Sequence, residues 1–267
     1  MGQKSNPNSF QQQDFNPKLW STQNKKDYSV LLKNNLEVIE NIRALFERNN
    51  CIVKECVFLR SKETNLGTLF VSFLPLSFRR GNAKSKNSAL GTSKIANFLF
   101  NIIASFGYLL EKRIVLLNLD HIGSKTKKRF QHTEDVKSLF IFKNEVFYNP
   151  GLTIFFLLFS IKNMTPLLSK YIARYFKLLH RTKKINKFLL FLSRFVNLIE
   201  NSSFYGSKIK GVKLQIKGRF NGVPRSKIRV FEKGRIPLQT VSSKINYSLS
   251  HINTSYGVFS IKVWIYE

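Results

Sequence analysis

Between Tyr205 and Glu267 the chain carries twelve Lys and Arg against two Glu. Ammonium and guanidinium groups at this density repel one another, and they sit together comfortably only when a polyanion is present. The chemistry they offer is phosphate binding. Lys208, Lys210, Lys213 and Lys217 come first, then Arg219, Arg225 and Lys227, then Arg229, Lys233 and Arg235. Catalysis has no comparable candidates. The sequence shows no P-loop, no paired carboxylates with suitable neighbours, no Ser/His/Asp arrangement singled out by spacing, and no His or Cys cluster at metal-ligand spacing. With 15 acids against 44 bases, general acid–base chemistry has few candidates either. A binding protein is expected, not an enzyme, with no cofactor and no metal. A basic nuclease or lyase would have to rely on an acid such as Asp120 or Glu145.

The elements that must position these cations are legible from periodicity. In "GVKLQIKGRF", Val212, Leu214 and Ile216 alternate with Lys213, Gln215 and Lys217, the pattern of a strand with one buried and one cationic face. Phe259, Ile261, Val263 and Ile265 alternate with Ser260, Lys262 and Trp264 after a turn at "TSYG". Gly222, Pro224, Gly234 and Pro237 punctuate the extended segments between, so an antiparallel sheet is expected. Two helical runs precede it. One buries Leu168, Tyr171, Ile172, Tyr175, Leu178 and Leu179; the other buries Ile185, Phe188, Leu189, Leu192, Val196 and Ile199. Lys170, Arg174, Lys177, Arg181 and Lys184 recur at spacings of four, three, four and three. An unbroken helix through 180 would carry them as one stripe, whose self-repulsion a polyanion would relieve.

Upstream, Leu31, Leu32, Leu36, Ile39, Ile42, Leu45 and Phe46 predict a helix over 28–49. "CIVKECVFLRS" and "LGTLFVSFLPL" predict two strands joined by a polar hairpin. The basic stretch "RRGNAKSKNSALGTSK" follows, then a helix over 95–106 and a strand at "RIVLLNLD". Arg79, Arg80, Lys84 and Lys86 in the basic stretch either meet phosphate as point charges or form a solvated loop. Residues 1–27 are expected to form an extended arm, with Lys4 free to meet phosphate and Trp20 to anchor on protein. Residues 121–150 are expected to be a charged insertion or linker.

The composition fits a folded polyanion binder. Net charge is +29 over 267 residues, and a hydrophobic content of 43% supplies apolar surface to bury. Cys51 and Cys56 set no disulfide framework and are expected to be apolar filler. The first residues have no secretory or transit pattern. "LTIFFLLFSI" is too short to span a bilayer and "KFLLFLSRFVNLI" is interrupted by Arg194, so no membrane partner is expected.

The segments "GVKLQIKGRFNG", "EKGRIPLQT", "INYSLSHINTSYGVFSIKVWIYE" and, at the opposite end, "MGQKSNP" resemble the universal third protein of the small ribosomal subunit in its bacterial-type form. The resemblance implies an α+β chain. A degenerate type II KH-like domain would cover 28–120, and two helices packed on an antiparallel sheet would cover 151–267. The KH phosphate clamp, GxxG, is absent: Gly81 and Gly91 are separated by a longer lysine-bearing loop. The resemblance also implies a structural role, binding small-subunit rRNA in the head through Lys4 and the cations from Lys208 to Arg235. A basic cluster, here Arg181, Lys183, Lys184 and Lys187, would face the channel by which mRNA enters, and any unwinding of mRNA there would be passive. Implied neighbours are small-subunit proteins ten and fourteen, with four and five nearby. The abundance of residues with AT-rich codons, including 25 Phe, points to synthesis inside an organelle, and the irregular KH core favours the mitochondrial matrix over the chloroplast. A free RNA-binding factor using a KH-like fold outside the ribosome is the alternative.

Overall fold

Alternation of apolar residues decides the C-terminal sheet. Strands β4 (Gly211–Gly218), β5 (Lys227–Gly234), β6 (Ile245–Thr254) and β7 (Gly257–Tyr266) lie in the order β5-β4-β7-β6, every pair antiparallel. The register sets Val212 opposite Ile265, Leu214 opposite Val263 and Ile216 opposite Ile261. All six side chains are buried, forming one apolar face of cross-strand pairs. Gly257, at φ 115°, closes the β6–β7 hairpin, and its carbonyl accepts a 2.8 Å hydrogen bond from Thr254 Oγ1. Gly234 (φ 74°) ends β5 where a Cβ would run into the Lys210 carbonyl, a position only glycine fills without strain. These features belong to a computed structural model that describes residues 7, 25–48, 51–60, 67–75, 115–121, 134–160, 163–180, 182, 184–201, 209–240 and 242–267. The chain divides into two compact units, one of Asn16–Ile122 and one of Met1–Phe15 with Gly123–Glu267.

Helices cover the apolar face. In chain order α1 is Lys25–Arg48, α2 Tyr148–Ser160, α3 Thr165–Leu179 and α4 Ile185–Asn201. Helix α3 packs on β6 and β7, and α4 packs on β5 and β4. Pro166 opens α3, where its missing N–H costs nothing. The faces expected from periodicity are the buried ones, except that Leu178 is exposed and Leu189 half-buried. Helix α3 stops at Leu179, and His180 caps it. The five-cation stripe is therefore not one stripe. Lys170, Arg174 and Lys177 lie on α3, whereas Lys184 belongs to the turn that follows.

Residues 134–150 are not a linker. Glu134–Phe142 is a 3₁₀ helix, and α2 starts at Tyr148. Leu139, Phe142, Phe147 and Tyr148 are buried. Phe147 packs its ring 5.0 Å from Phe188 and 5.1 Å from Phe191, while Phe142 meets Phe191 edge-on at 5.6 Å. Arg194 holds the 3₁₀ helix from α4, donating to the Ser138 carbonyl at 3.0 Å with its guanidinium 5.5 Å from the centre of the Phe142 ring. Helix α2 approaches closely because residue 151 is Gly. A Cβ there would sit 2.6 Å from the Phe191 ring and 2.7 Å from the Tyr171 hydroxyl, which itself donates to the Phe147 carbonyl at 2.7 Å. Among the described residues, no helix is long and apolar enough to cross a membrane.

The other unit has strands β1 (Cys51–Arg60), β2 (Gly67–Pro75) and β3 (Val115–His121) in that order. The first pair is antiparallel and the second parallel. Helix α1 packs on β1 through its C-terminal end, where Ile42 and Phe46 are buried and the Phe46 ring lies 5.1 Å from Phe73. The predicted stripe is thus only partly used, since Leu36 is 50% exposed. Cys51 and Cys56 are buried and form no disulfide. The predicted helix at 95–106 and the basic stretch before it lie outside the described residues, as does the arm apart from Pro7 and the start of α1.

Candidate nucleic-acid interface

Among the described residues strand β5 has one strand neighbour, β4, and it is exposed along its length except at Phe231, which is half-buried. Alternation places Lys227, Arg229 and Lys233 on one side of it, at steps of about 6.8 Å per two residues. Arg225 precedes the strand and Arg235 follows it, and all five are exposed. Edge strands commonly carry such charges because cations discourage pairing with a foreign strand. Here they also make an exposed, mainly cationic edge beside α4, interrupted by the half-buried Phe231.

The outer face of the sheet is more mixed than the alternation implied. Lys217 is exposed, with Ile228 and Ser260 as its cross-strand neighbours. Lys213 is withdrawn from solution: its ammonium is ion-paired with Glu232 and its side chain is only 12% exposed. Sequence reasoning counted Lys213 as an rRNA contact, but the register places Glu232 directly opposite it. Trp264 belongs to the same row. It lies on the outer face, yet it is 3% exposed. The row Glu232–Lys213–Trp264–Tyr247 runs across four strands, and the Tyr247 ring lies 5.4 Å from the indole. Large side chains opposite one another bury themselves even on an open face.

Lys210 is exposed, with its ammonium 4.9 Å over the Tyr266 ring. The exposed Arg219 uses Nε to reach the Val223 carbonyl at 3.0 Å, which fixes the loop after β4. That loop meets the start of α4 through Asn221 Nδ2, 3.4 Å from Asn186 Oδ1. Of the three expected α3 cations, Lys170 and Arg174 are half-buried and Lys177 is exposed. Lys262, half-exposed between Gln215 and Leu249, joins the outer face. The alternation around Ile261 and Val263 would have allowed it to be named from sequence.

Lys184 and Lys187 stand at the start of α4 and share one counter-charge. Glu145 Oε2 lies 3.4 Å from Lys184 Nζ, and Oε1 lies 3.3 Å from Lys187 Nζ. Partial burial pushes the Glu145 carboxyl up, but the hydrogen bonds and charges of the two lysines outweigh it and hold the pKa below the ordinary value. Sequence reasoning missed this acid as a partner, because 42 and 39 residues separate it from the two lysines. Lys4, Lys208, Arg181, Lys183, Arg79, Arg80, Lys84 and Lys86 lie outside the described residues.

With this geometry in place, the comparisons are specific. Residues 194–265 match the family model described as ribosomal protein S3, C-terminal domain. The chain is 48% identical over 58 residues to Small ribosomal subunit protein uS3c of Helicosporidium sp. subsp. Simulium jonesii, covering 22% of this chain and 24% of that protein. It is likewise 48% identical over 58 residues to Small ribosomal subunit protein uS3 of Aquifex pyrophilus, covering 22% and 25%. With the uS3 of Buchnera aphidicola subsp. Acyrthosiphon pisum (strain Tuc7) it is 31% identical over 86 residues, covering 32% and 36%. The chain thus spans between about a quarter and a third of the length of these relatives. The matched segment is the C-terminal half of α4 with the four-stranded sheet as far as Ile265, and over these residues the chain is similar to the C-terminal domain of ribosomal protein S3.

Proposed function

We propose that the chain is a structural constituent of a small ribosomal subunit, of bacterial or organelle type, that binds rRNA and has no catalytic activity of its own. The observation that carries this reading is the S3-like sheet ending in an exposed, mainly cationic edge, Arg225 to Arg235. Rim cations spaced along a strand suit a backbone of repeating phosphates, and such contacts position a protein on RNA without reading its sequence. Its placement in the head beside the mRNA channel, next to small-subunit proteins ten and fourteen with four and five nearby, follows from the resemblance. The composition favours an organelle, and the degenerate KH-like segment favours the mitochondrion over the chloroplast. The parallel β2–β3 pair supports a KH-like N-terminal unit, because parallel neighbours require a crossover, and residues 76–114 are long enough to supply one.

Sedimentation tests the reading. A lysate run on a magnesium-containing gradient, with mass spectrometry across the fractions, is expected to place the protein with small subunits and intact ribosomes. Release is expected only at high salt or after RNase. Recovery at the top of the gradient would favour a free RNA-binding factor. The finer reading of Arg181, Lys183, Lys184 and Lys187 as an mRNA contact has its own expected outcome. Replacing Lys183, Lys184 and Lys187 by Ala should slow initiation on structured mRNA while subunit assembly continues. Normal initiation on such mRNA would remove these lysines from the channel.

A further inference from the structure

We propose that Glu145 is a built-in counter-anion that occupies Lys184 and Lys187 until an RNA phosphate displaces it, and so keeps the grip of this cluster exchangeable. The inference rests on the reading of that cluster as an RNA contact. Each carboxylate oxygen faces one ammonium, at 3.4 Å and 3.3 Å. The lysine side chains are 50% and 64% exposed, whereas that of Glu145 is 15% exposed. The acid is the anchored partner and the cations are the reachable ones. Its anchorage is the turn between the 3₁₀ helix and α2. Glu145 N donates to the Phe142 carbonyl at 2.9 Å and Tyr148 N donates to the Glu145 carbonyl at 3.1 Å. Buried Phe142 and Phe147 lock this turn onto Phe191 and Phe188 of α4.

The start of α4 explains why a counter-charge is needed there. Its first turn has no acid, yet the N-terminal end of a helix carries partial positive charge and disfavours cations. Lys184 and Lys187, three residues apart, add mutual repulsion. Glu145 supplies from another segment the negative charge that this helix end lacks. A phosphate offers the same paired oxygens and can take its place. Ion pairs with exposed lysines at such distances are weak, so the exchange is easy in both directions. A strand held this way can let go, which suits RNA that must move past. The low pKa of Glu145 keeps the competitor charged at neutral pH.

The test uses the full chain in four forms: unchanged, Glu145→Gln, Lys184→Ala with Lys187→Ala, and all three changes together. Binding of a fluorescently labelled single-stranded RNA oligonucleotide is followed by anisotropy across a KCl series, with thermal unfolding of each form as the fold control. Glu145→Gln is expected to tighten binding roughly three- to tenfold at low salt and to steepen the log–log salt slope by about one. That gain should vanish when both lysines are absent. If the lysine pair can be removed without loss of RNA binding, the RNA-contact reading of the cluster fails, and with it this proposal. If lysine removal weakens binding but Glu145→Gln changes neither affinity nor slope, Glu145 is only a structural staple and the proposal alone is overturned. An equal gain with and without the lysines would also overturn it, because the effect would then be one of overall charge. Should Glu145→Gln fail to fold, Glu145→Asp, which keeps the charge but draws it back by one methylene, is read by the same criteria with a smaller gain.

Discussion

Replacing Phe188 by Ala is expected to cost about 3–5 kcal/mol, enough to remove much of the stability of a domain with a typical total of about 5–15 kcal/mol. Phe188 is fully buried. Its ring lies 5.0 Å from Phe147, 5.7 Å from Phe176, 5.9 Å from Tyr175, 6.1 Å from Tyr171 and 6.3 Å from Phe191. These rings come from the turn before α2, from α3 and from α4, so one truncation opens a cavity where three segments meet. Neighbouring Leu190 is the control: it is 51% exposed, and Leu190→Ala should change stability by only about 0.5 kcal/mol or less. Urea unfolding of both variants, compared at equal m-value, measures the difference. A Phe188→Ala chain as stable as the Leu190→Ala chain would mean that the aromatic cluster is not the core of this unit.

The second large effect is expected at the rim of β5. Changing Arg225, Lys227, Arg229 and Lys233 together to Ala should weaken binding to small-subunit rRNA by about a hundred- to a thousandfold near 0.1 M salt. The log–log salt slope should flatten by up to about four. Lys227, Arg229 and Lys233 are exposed on the edge strand and Arg225 is exposed just before it, so their removal should leave the unfolding midpoint nearly unchanged. The paired measurement separates the two roles that edge cations can play. If affinity and slope hold while the free protein begins to self-associate, the rim serves solubility and not RNA.

Much of the C-terminal unit could be read from its residues, because a half-buried sheet and an amphipathic helix write their periods directly into the sequence. Val212, Leu214 and Ile216, and again Phe259, Ile261, Val263 and Ile265, are buried as their alternation required. Three readings fell short, each for a physical reason. Alternation puts Trp264 on the outer face, but parity gives the face and not the neighbours, and there Lys213 and Tyr247 flank it. The cation spacing on α3 continues past residue 179 although the helix does not, since a charge pattern cannot register a helix cap. Residues 134–160 showed no usable period. "SLFIF" and "IFFLLF" are apolar on every side, so their order comes from what they pack against. The candidate site was legible in its cations and not in its anions. Glu232 and Glu145 neutralise Lys213, Lys184 and Lys187 through strand register and tertiary packing, and neither shows in a window of local sequence.

The strand order β5-β4-β7-β6 imposes a schedule on synthesis. Helices α3 and α4 and the β4–β5 hairpin leave the ribosome first, but the inner edge of β4 has no neighbour until residues 257–266 have emerged. Strand β6, made before β7, has β7 as its one strand partner among the described residues and must wait as well. Because α3 packs on β6 and β7, its apolar face also stays uncovered during that interval. A nascent chain stalled between Thr254 and Gly257 thus presents two unpaired strand edges and one bare helix face, which is what chaperones bind and proteases cut. The last ten-residue strand closes all three at once, so completion of this unit is nearly all-or-none.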